Sequence, residues 1–210
     1  MSKSLQVQLR LNNVRLSFPS LFKATAVKDG DKPAFSAQFI FPPEHPDFPA
    51  LKKALVDVAT GKWGAEGPAM VGQLMAADRC CVKRGDAKTA EDGKPLDGYA
   101  GQWFVSARSQ TRPTLIDANK KPLAESDGRL YSGCYVNVVV AIWAQTGQYG
   151  KRLNAQLQGV QFAKDGDSFG GGRAASPDAF ENIANEFGGA QDAPAIGADP
   201  FGSPADTSFL

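Results

Sequence analysis

The sequence predicts a mainly β protein, an antiparallel barrel or sandwich with one inserted α-helix, followed by a flexible acidic C-terminal tail. Three observations lead there. Apolar residues alternate with period two in short runs separated by turn residues, the pattern of half-buried strands. Only one well-marked stretch, after the second run, changes to helical spacing. The charge is split along the chain. The 210 residues carry 23 Lys+Arg against 22 Asp+Glu, net +1. The last basic residue is Arg173, and the acids Asp178, Glu181, Glu186, Asp192, Asp199 and Asp206 leave the segment beyond it at −6 and the body before it at +7. A basic body with an acidic tail points to polyanion binding, or to its regulation.

The first strand starts with Leu5, Val7, Leu9 and Leu11 alternating with polar neighbours. Asn12-Asn13 reads as a bulge, after which Val14, Leu16 and Phe18 resume the alternation until Phe18-Pro19 stops it. Past a turn at Lys28–Asp31, a second strand covers Ala34 to Phe41 and ends at Pro42-Pro43. The helix follows, from Asp47 to Thr60, with Phe48, Leu51, Leu55 and Val58 on one face, Asp47 as N-cap and Gly61 as terminator. Short strands are expected at Cys80–Lys83, Gln102–Ala107 and Thr114–Ile116. A long hairpin then pairs Leu130–Ala144 with Arg152–Ala163, turning at Thr146–Gly150. Cys134, Val136, Val138, Val140 and Ile142 form one face of its first arm, and a bulge is allowed at Gly159. The domain is expected to span residues 1–169. Residues 170–210 read as a Gly-rich linker and a largely disordered acidic tail, with helix-start chemistry at Ser176-Pro177-Asp178 and Phe180, Ile183 and Phe187 on one helical face.

Several classes of chemistry are not encoded. No apolar run approaches the ~18 residues of a membrane span, and MSKSLQVQLR lacks the pattern of a secretory signal. Cys80, Cys81 and Cys134 make no disulfide framework, which fits a reducing cytosol. The Cys80-Cys81 pair lacks a CxxC partner and a nearby histidine, so no metal site is expected. His45, between Pro43 and Pro46, reads as a solvent-facing loop histidine. Asp165–Arg173 is Gly-rich but has no Lys-Ser/Thr of a phosphate-binding loop. Neither a catalytic constellation nor a cofactor is expected, so the chain is not read as an enzyme.

Aromatic residues interleaved with basic ones are encoded. The densest stretch holds Tyr99, Trp103, Phe104, Arg108 and Arg112. In a strand, Trp103, Val105 and Ala107 share one face, and Phe104, Ser106 and Arg108 the other, so one face feeds the core and the other joins a ring to a cation. Lys83, Arg84, Lys120, Lys121, Lys151 and Arg152 add charge at loops and strand ends, and Tyr131, Tyr135 and Trp143 add rings on the hairpin. Rings stack on bases at ~1–3 kcal/mol each while cations neutralise the backbone, a combination suited to single-stranded nucleic acid. Arg108 and Arg112 also suit phosphate by forked hydrogen bonding. A tethered −6 tail is a natural competitor for a +7 body; the plainer reading is a solubilising segment.

The chain also resembles a known family. The motifs are Val14–Phe22 (VRLSFPSLF), Lys62-Trp63-Gly64, Gly98-Tyr99 through Phe104 with Ala107-Arg108-Ser109, Arg112-Pro113, Tyr131–Asn137, and Leu157–Phe162 with Gly170–Arg173. Together they are similar to the phage-encoded single-stranded DNA-binding proteins once catalogued as a domain of unknown function, over nearly all of residues 10 to 173. The resemblance implies an oligonucleotide/oligosaccharide-binding (OB) barrel, single-stranded DNA as partner, and a non-catalytic role in phage DNA replication, recombination or repair in the cytoplasm of a bacterial host. A homodimer is compatible with it. It also implies that the tail, through Asp199, Asp206, Phe209 and Leu210, contacts replication or recombination proteins. The best-known bacterial tails end in a dense acidic run with Pro-Phe, whereas this chain ends Ser-Phe209-Leu210. The competing readings are a virion structural or assembly protein built on a β-barrel, and a single-stranded RNA-binding protein.

Overall fold

A computed structural model describes residues 5–26, 30–90, 93–148 and 150–169. β1 (Gln6–Thr25) is a 20-residue strand that serves two neighbours. Its first half pairs antiparallel with β6 (Tyr135–Gly147), and its second half with β2 (Ala34–Phe41). The bulge expected at Asn12-Asn13 is present: the register with β6 shifts between Leu11 and Val14, and Asn13 has φ 52°. The extra residues keep Leu11, Val14 and Leu16 all pointing inward and fully buried. Phe18-Pro19 does not end the strand. Phe18 takes φ 47° and the register with β2 shifts there, so pairing continues to Thr25 while the Phe18 ring is turned outward.

The helix α1 (Phe48–Trp63) buries Phe48, Leu51, Leu55 and Val58, as its spacing predicts. Its ends differ from expectation. Asp47 occupies the N-cap position but makes no side-chain cap. Its Oδ2 instead accepts from the Asn12 backbone N–H at 2.8 Å and the Asn12 Nδ2 at 2.9 Å, clamping the β1 bulge. The helix passes through Gly61 and ends at Gly64, whose φ is 65°. A second helix, α2 (Gly67–Ala76), follows in addition to the one helix expected. Its proline lies in the first turn, where the missing N–H is harmless. Leu74 is buried, and Met70, Val71 and Met75 pack on the core. His45 is buried and not solvent-facing. Its Nδ1 accepts from the Asp47 N–H at 3.2 Å, so Nε2 carries the hydrogen given to the Asn12 carbonyl at 2.8 Å.

β3 (Val82–Arg84), β4 (Trp103–Ser109), β5 (Thr114–Ile116) and β7 (Gly150–Lys164) complete the described strands. β2 pairs β4, β4 pairs β7 in parallel, β7 pairs β6 and β6 pairs β1. That sequence of contacts closes a five-stranded ring, β1-β2-β4-β7-β6, with β3 and β5 added at its margins. This is an OB-like barrel with helices inserted between its second and third strands, and it removes sheet edges by closure. Cys134, Val136, Val138, Val140 and Ile142 fill the interior and are fully buried. On β7, Val139 pairs Gly159 but Val140 pairs Leu157, so Gln158 is the extra residue of a bulge. That insertion lets Leu157 and Val160 both face the core.

A second, smaller apolar cluster lies on the outer face of β2 and β4. Ile40 and Phe104 point away from the barrel, and the connection between β3 and β4 folds over them, adding Tyr99 and Leu96, with Phe169 alongside. Among the described residues no helix is long and apolar enough to cross a membrane. The Gly-rich linker from residue 170, the acidic tail with its expected helix, and the tail residues Asp199, Asp206, Phe209 and Leu210 lie outside the described residues.

Candidate nucleic-acid interface

OB barrels bind oligonucleotides on the face of their second and third strands and with the loops joining strands one to two and four to five. Here those are β2 and β4, the connection around residues 26–33, and the β6–β7 turn near residue 148. A cleft of about 810 Å³ lies along the seam where β4 and β7 run parallel, with Arg108 opposite Gln156. Lys32, Arg79, Lys83, Arg108 and Arg152 line it, against the carboxylates Asp31 and Asp78, and Trp143 contributes a ring. The first connection, the third barrel strand and the start of the fifth all supply cations to this one cleft.

The cations are not equivalent. Arg108 is exposed and donates from a guanidinium nitrogen to the Lys32 carbonyl at 2.6 Å, which fixes its reach over the cleft. Arg152 is exposed and lines the same cleft. Neither has a carboxylate partner among the described residues, whereas the Lys83 ammonium sits 2.6 Å from Asp78. Lys32 and Arg79 likewise have no carboxylate partner among the described residues, so of the five cleft cations only Lys83 must first give up an anion to meet a phosphate. Trp143 is half-buried on the outer face of β6, opposite Asn154.

Cys80 and Cys81 also line the cleft, and both are buried. A hydrogen bond from the Cys81 thiol, helped by the Val82 backbone and the Lys83 charge, holds the Cys80 thiol below its ordinary value against the effect of burial. The same pairing, with burial, pushes Cys81 well up.

The remaining expected residues scatter. Phe104 (3% exposed) and Tyr99 (1%) are packed edge to face at 5.2 Å in the outer apolar cluster and present no free ring face. Phe104 does point out of the barrel, as the strand alternation requires, but the β3–β4 connection covers it. The Tyr99 hydroxyl donates to Gln38 Oε1 at 2.6 Å. Burial pushes its phenol up to about 12, opposed by a hydrogen bond with Ser17. Trp103 is half-buried against Phe48 (5.2 Å), with the Arg84 guanidinium 5.1 Å from its centroid. Lys151 lies 5.5 Å from the Trp63 ring and 3.7 Å from Glu66. Arg112 is exposed in the turn after β4 and does not line the cleft.

Tyr135 and Trp143 share the outer face of β6, but eight residues separate them, ~26 Å at strand rise. Tyr135 lies between Arg15 (5.5 Å) and Lys164 (4.6 Å). The Tyr131 hydroxyl is tied to Asp165 and Gly166 near the same end. The structure thus gathers Lys83, Arg108, Arg152 and Trp143 into one cleft and leaves the other expected rings elsewhere. Lys32 and Arg79 join that cleft without any motif to announce them.

The family model described as "Enterobacter phage Enc34, ssDNA-binding protein" matches residues 7–190. The chain is 38% identical over 181 residues to "Putative protein p50" of Acyrthosiphon pisum secondary endosymbiont phage 1, an alignment covering 85% of this chain and 95% of that one. Among solved structures, the bacteriophage Enc34 single-stranded DNA-binding protein in complex with ssDNA superposes with a TM-score of 0.61 at 30% identity, covering 78% of this chain and 89% of its own. The single-stranded DNA-binding protein gp2.5 of bacteriophage T7 shares the fold alone, with a TM-score of 0.52 at 12% identity over 94% of this chain and all of its own.

Proposed function

This chain belongs to the single-stranded DNA-binding protein family of Enterobacter phage Enc34, and from that membership we propose that it binds single-stranded DNA in the cleft between β4 and β7. The observation that carries the reading is the convergence of Lys32, Arg79, Lys83, Arg108 and Arg152 beside Trp143 on the face that OB barrels use for oligonucleotides. Phosphates are neutralised first by the cations that have no carboxylate partner among the described residues, Arg108 and Arg152 among them. Lys83 follows as its ammonium exchanges Asp78 for the strand. Trp143, half-buried at the cleft wall, offers its ring to a base. Backbone charge and π-stacking are common to every nucleotide, so binding is sequence-tolerant.

No covalent step is part of this role. The protein protects and organises single strands during phage DNA replication, recombination or repair, in the cytoplasm of the host. The acidic segment after Arg173 supplies a tethered competitor for the same cations and, once displaced, a contact for replication or recombination proteins.

Titration of the full chain with a fluorescent oligo-dT at two salt concentrations tests the reading. Tight binding at low salt that weakens linearly in log–log form supports it, and no binding at low salt sinks it. An oligo-rU arm separates DNA from RNA preference, because only contacts to the 2′-hydroxyl distinguish them.

A further inference from the structure

Phe18 is the feature that the cleft does not explain. It is a large apolar residue, 52% exposed, in the middle of a long strand. Strand alternation after Leu16 would turn it inward. Instead its φ of 47° lies in the left-handed region, which disfavours a bulky side chain, and the β1–β2 register shifts beside it. A backbone held in such a state so that a ring faces water is a pointer to function.

The surroundings of Phe18 indicate the ligand. It rims a pocket of about 420 Å³ whose apolar wall is Tyr99, Leu96, Pro95 and Phe169. The Tyr99 ring lies 6.4 Å from it at 42°. The Lys88 ammonium stands 5.2 Å from the Phe18 centroid, and Lys94 and Asp97 line the pocket. Ser17 pairs with Gln38, and Ser36 with Arg108, so the pocket and the cleft share the outer face of β1, β2 and β4. Two strand spacings, ~10 Å, separate β1 from β4 across that face.

We propose that the Phe18 pocket is a second nucleobase-stacking subsite on the path of the same DNA strand, with Lys88 serving the adjoining phosphate. A planar base covers the exposed ring. The flexible stem of Lys88 lets its ammonium swing from the ring to the backbone. The small apolar cluster of Ile40, Tyr99 and Phe104 then has a role: it is the rigid floor that holds Phe18 and its pocket in place.

The inference rests on the proposed single-stranded DNA binding, and one experiment separates the two. Full-length wild type, Phe18→Ala, Phe18→Leu and Phe18→Trp are titrated with fluorescent oligo-dT across a salt series, with circular dichroism to verify folding. Leu keeps the apolar bulk without the π-face, so it reports even if the Ala variant fails to fold. The expected result is affinity lower by about 5- to 150-fold for Ala and Leu at every salt, restored by Trp, with the salt slope unchanged. Lys88→Ala is expected to flatten the slope by ~0.7. Wild-type binding matched within about twofold by both the Ala and Leu variants overturns the subsite and reassigns the pocket to a protein partner. A flattened slope in those variants overturns the stacking role. Failure of the wild type to bind overturns the proposed function as well.

Discussion

Replacing Arg108 by alanine removes a cleft cation that has no competing carboxylate among the described residues. Its guanidinium is exposed, and the Lys32 carbonyl it leaves behind is met by water, so the fold should change by no more than ~0.5 kcal/mol. The effect on binding is electrostatic and has a defined form. Each phosphate contact to a single strand contributes about −0.7 to the slope of log affinity against log salt. Across a tenfold salt range, one contact therefore changes affinity by about fivefold. The wild-type advantage over Arg108→Ala should shrink by that factor between low and high salt, as read by oligo-dT anisotropy. Arg108→Lys should keep the slope and lose affinity, because it retains the charge without the planar fork. Parallel lines for wild type and Arg108→Ala would refute a phosphate contact at this residue.

Asp78→Asn should tighten oligo-dT binding, since Asp78 holds the Lys83 ammonium at 2.6 Å; unchanged or weaker affinity in the same titration would count against exchange of that carboxylate for phosphate. Gly85→Ala should disrupt the β3–β4 connection, because a Cβ there would clash with the Tyr99 carbonyl oxygen, backbone that has no room to yield. A cost of ~1–3 kcal/mol or more in urea unfolding is expected, with lost near-UV dichroism from Tyr99. Tyr99→Phe should cost ~1 kcal/mol near neutrality through the lost bond to Gln38. The Tyr99 phenol is held at about 12, above its unfolded value near 10. Its contribution is therefore fully present below pH 10 and fades as pH climbs toward 12, so the wild-type advantage should narrow over that window in denaturant melts. Deleting Ala174–Leu210 should tighten DNA binding at low salt if the tail competes for the cleft; equal affinity would leave it a solubilising segment.

The strands were legible because one-sided burial writes itself as alternation. Val136, Val138, Val140 and Ile142 face inward as read, and the bulge at Asn12-Asn13 was visible as a break in phase. Tertiary context overrode local signals elsewhere. Pro19 did not stop β1, because a bulge carries the chain past it. Gly67-Pro68 opens a second helix that no sequence pattern announced, because α2 packs Leu74 against the core. Asp47 found a partner in the Asn12 bulge and left the cap unmade. The site was half legible. Alternation placed Arg108 and Phe104 on the same outer face, which is correct, but an outer face is solvent only where nothing covers it. The β3–β4 connection buries Phe104, and no local pattern announces that cover. Phe18 escaped for the converse reason: its exposure depends on one backbone dihedral. Lys32 and Arg79 reach the cleft only through barrel closure.

Ultraviolet crosslinking of oligo-dT to the full chain, with the adducted peptides located by mass spectrometry, tests the central assignment most directly. Apart from the β4–β7 cleft, a smaller groove lined by Arg10 and Lys120 runs across the outer faces of β1, β5, β6 and β7. Adducts within Ser106–Thr111, Trp143 and Arg152–Gln156 are the predicted result. Adducts confined to the peptides around Arg10, Lys120 and Gln158–Gln161, with the first set clean, would contradict it.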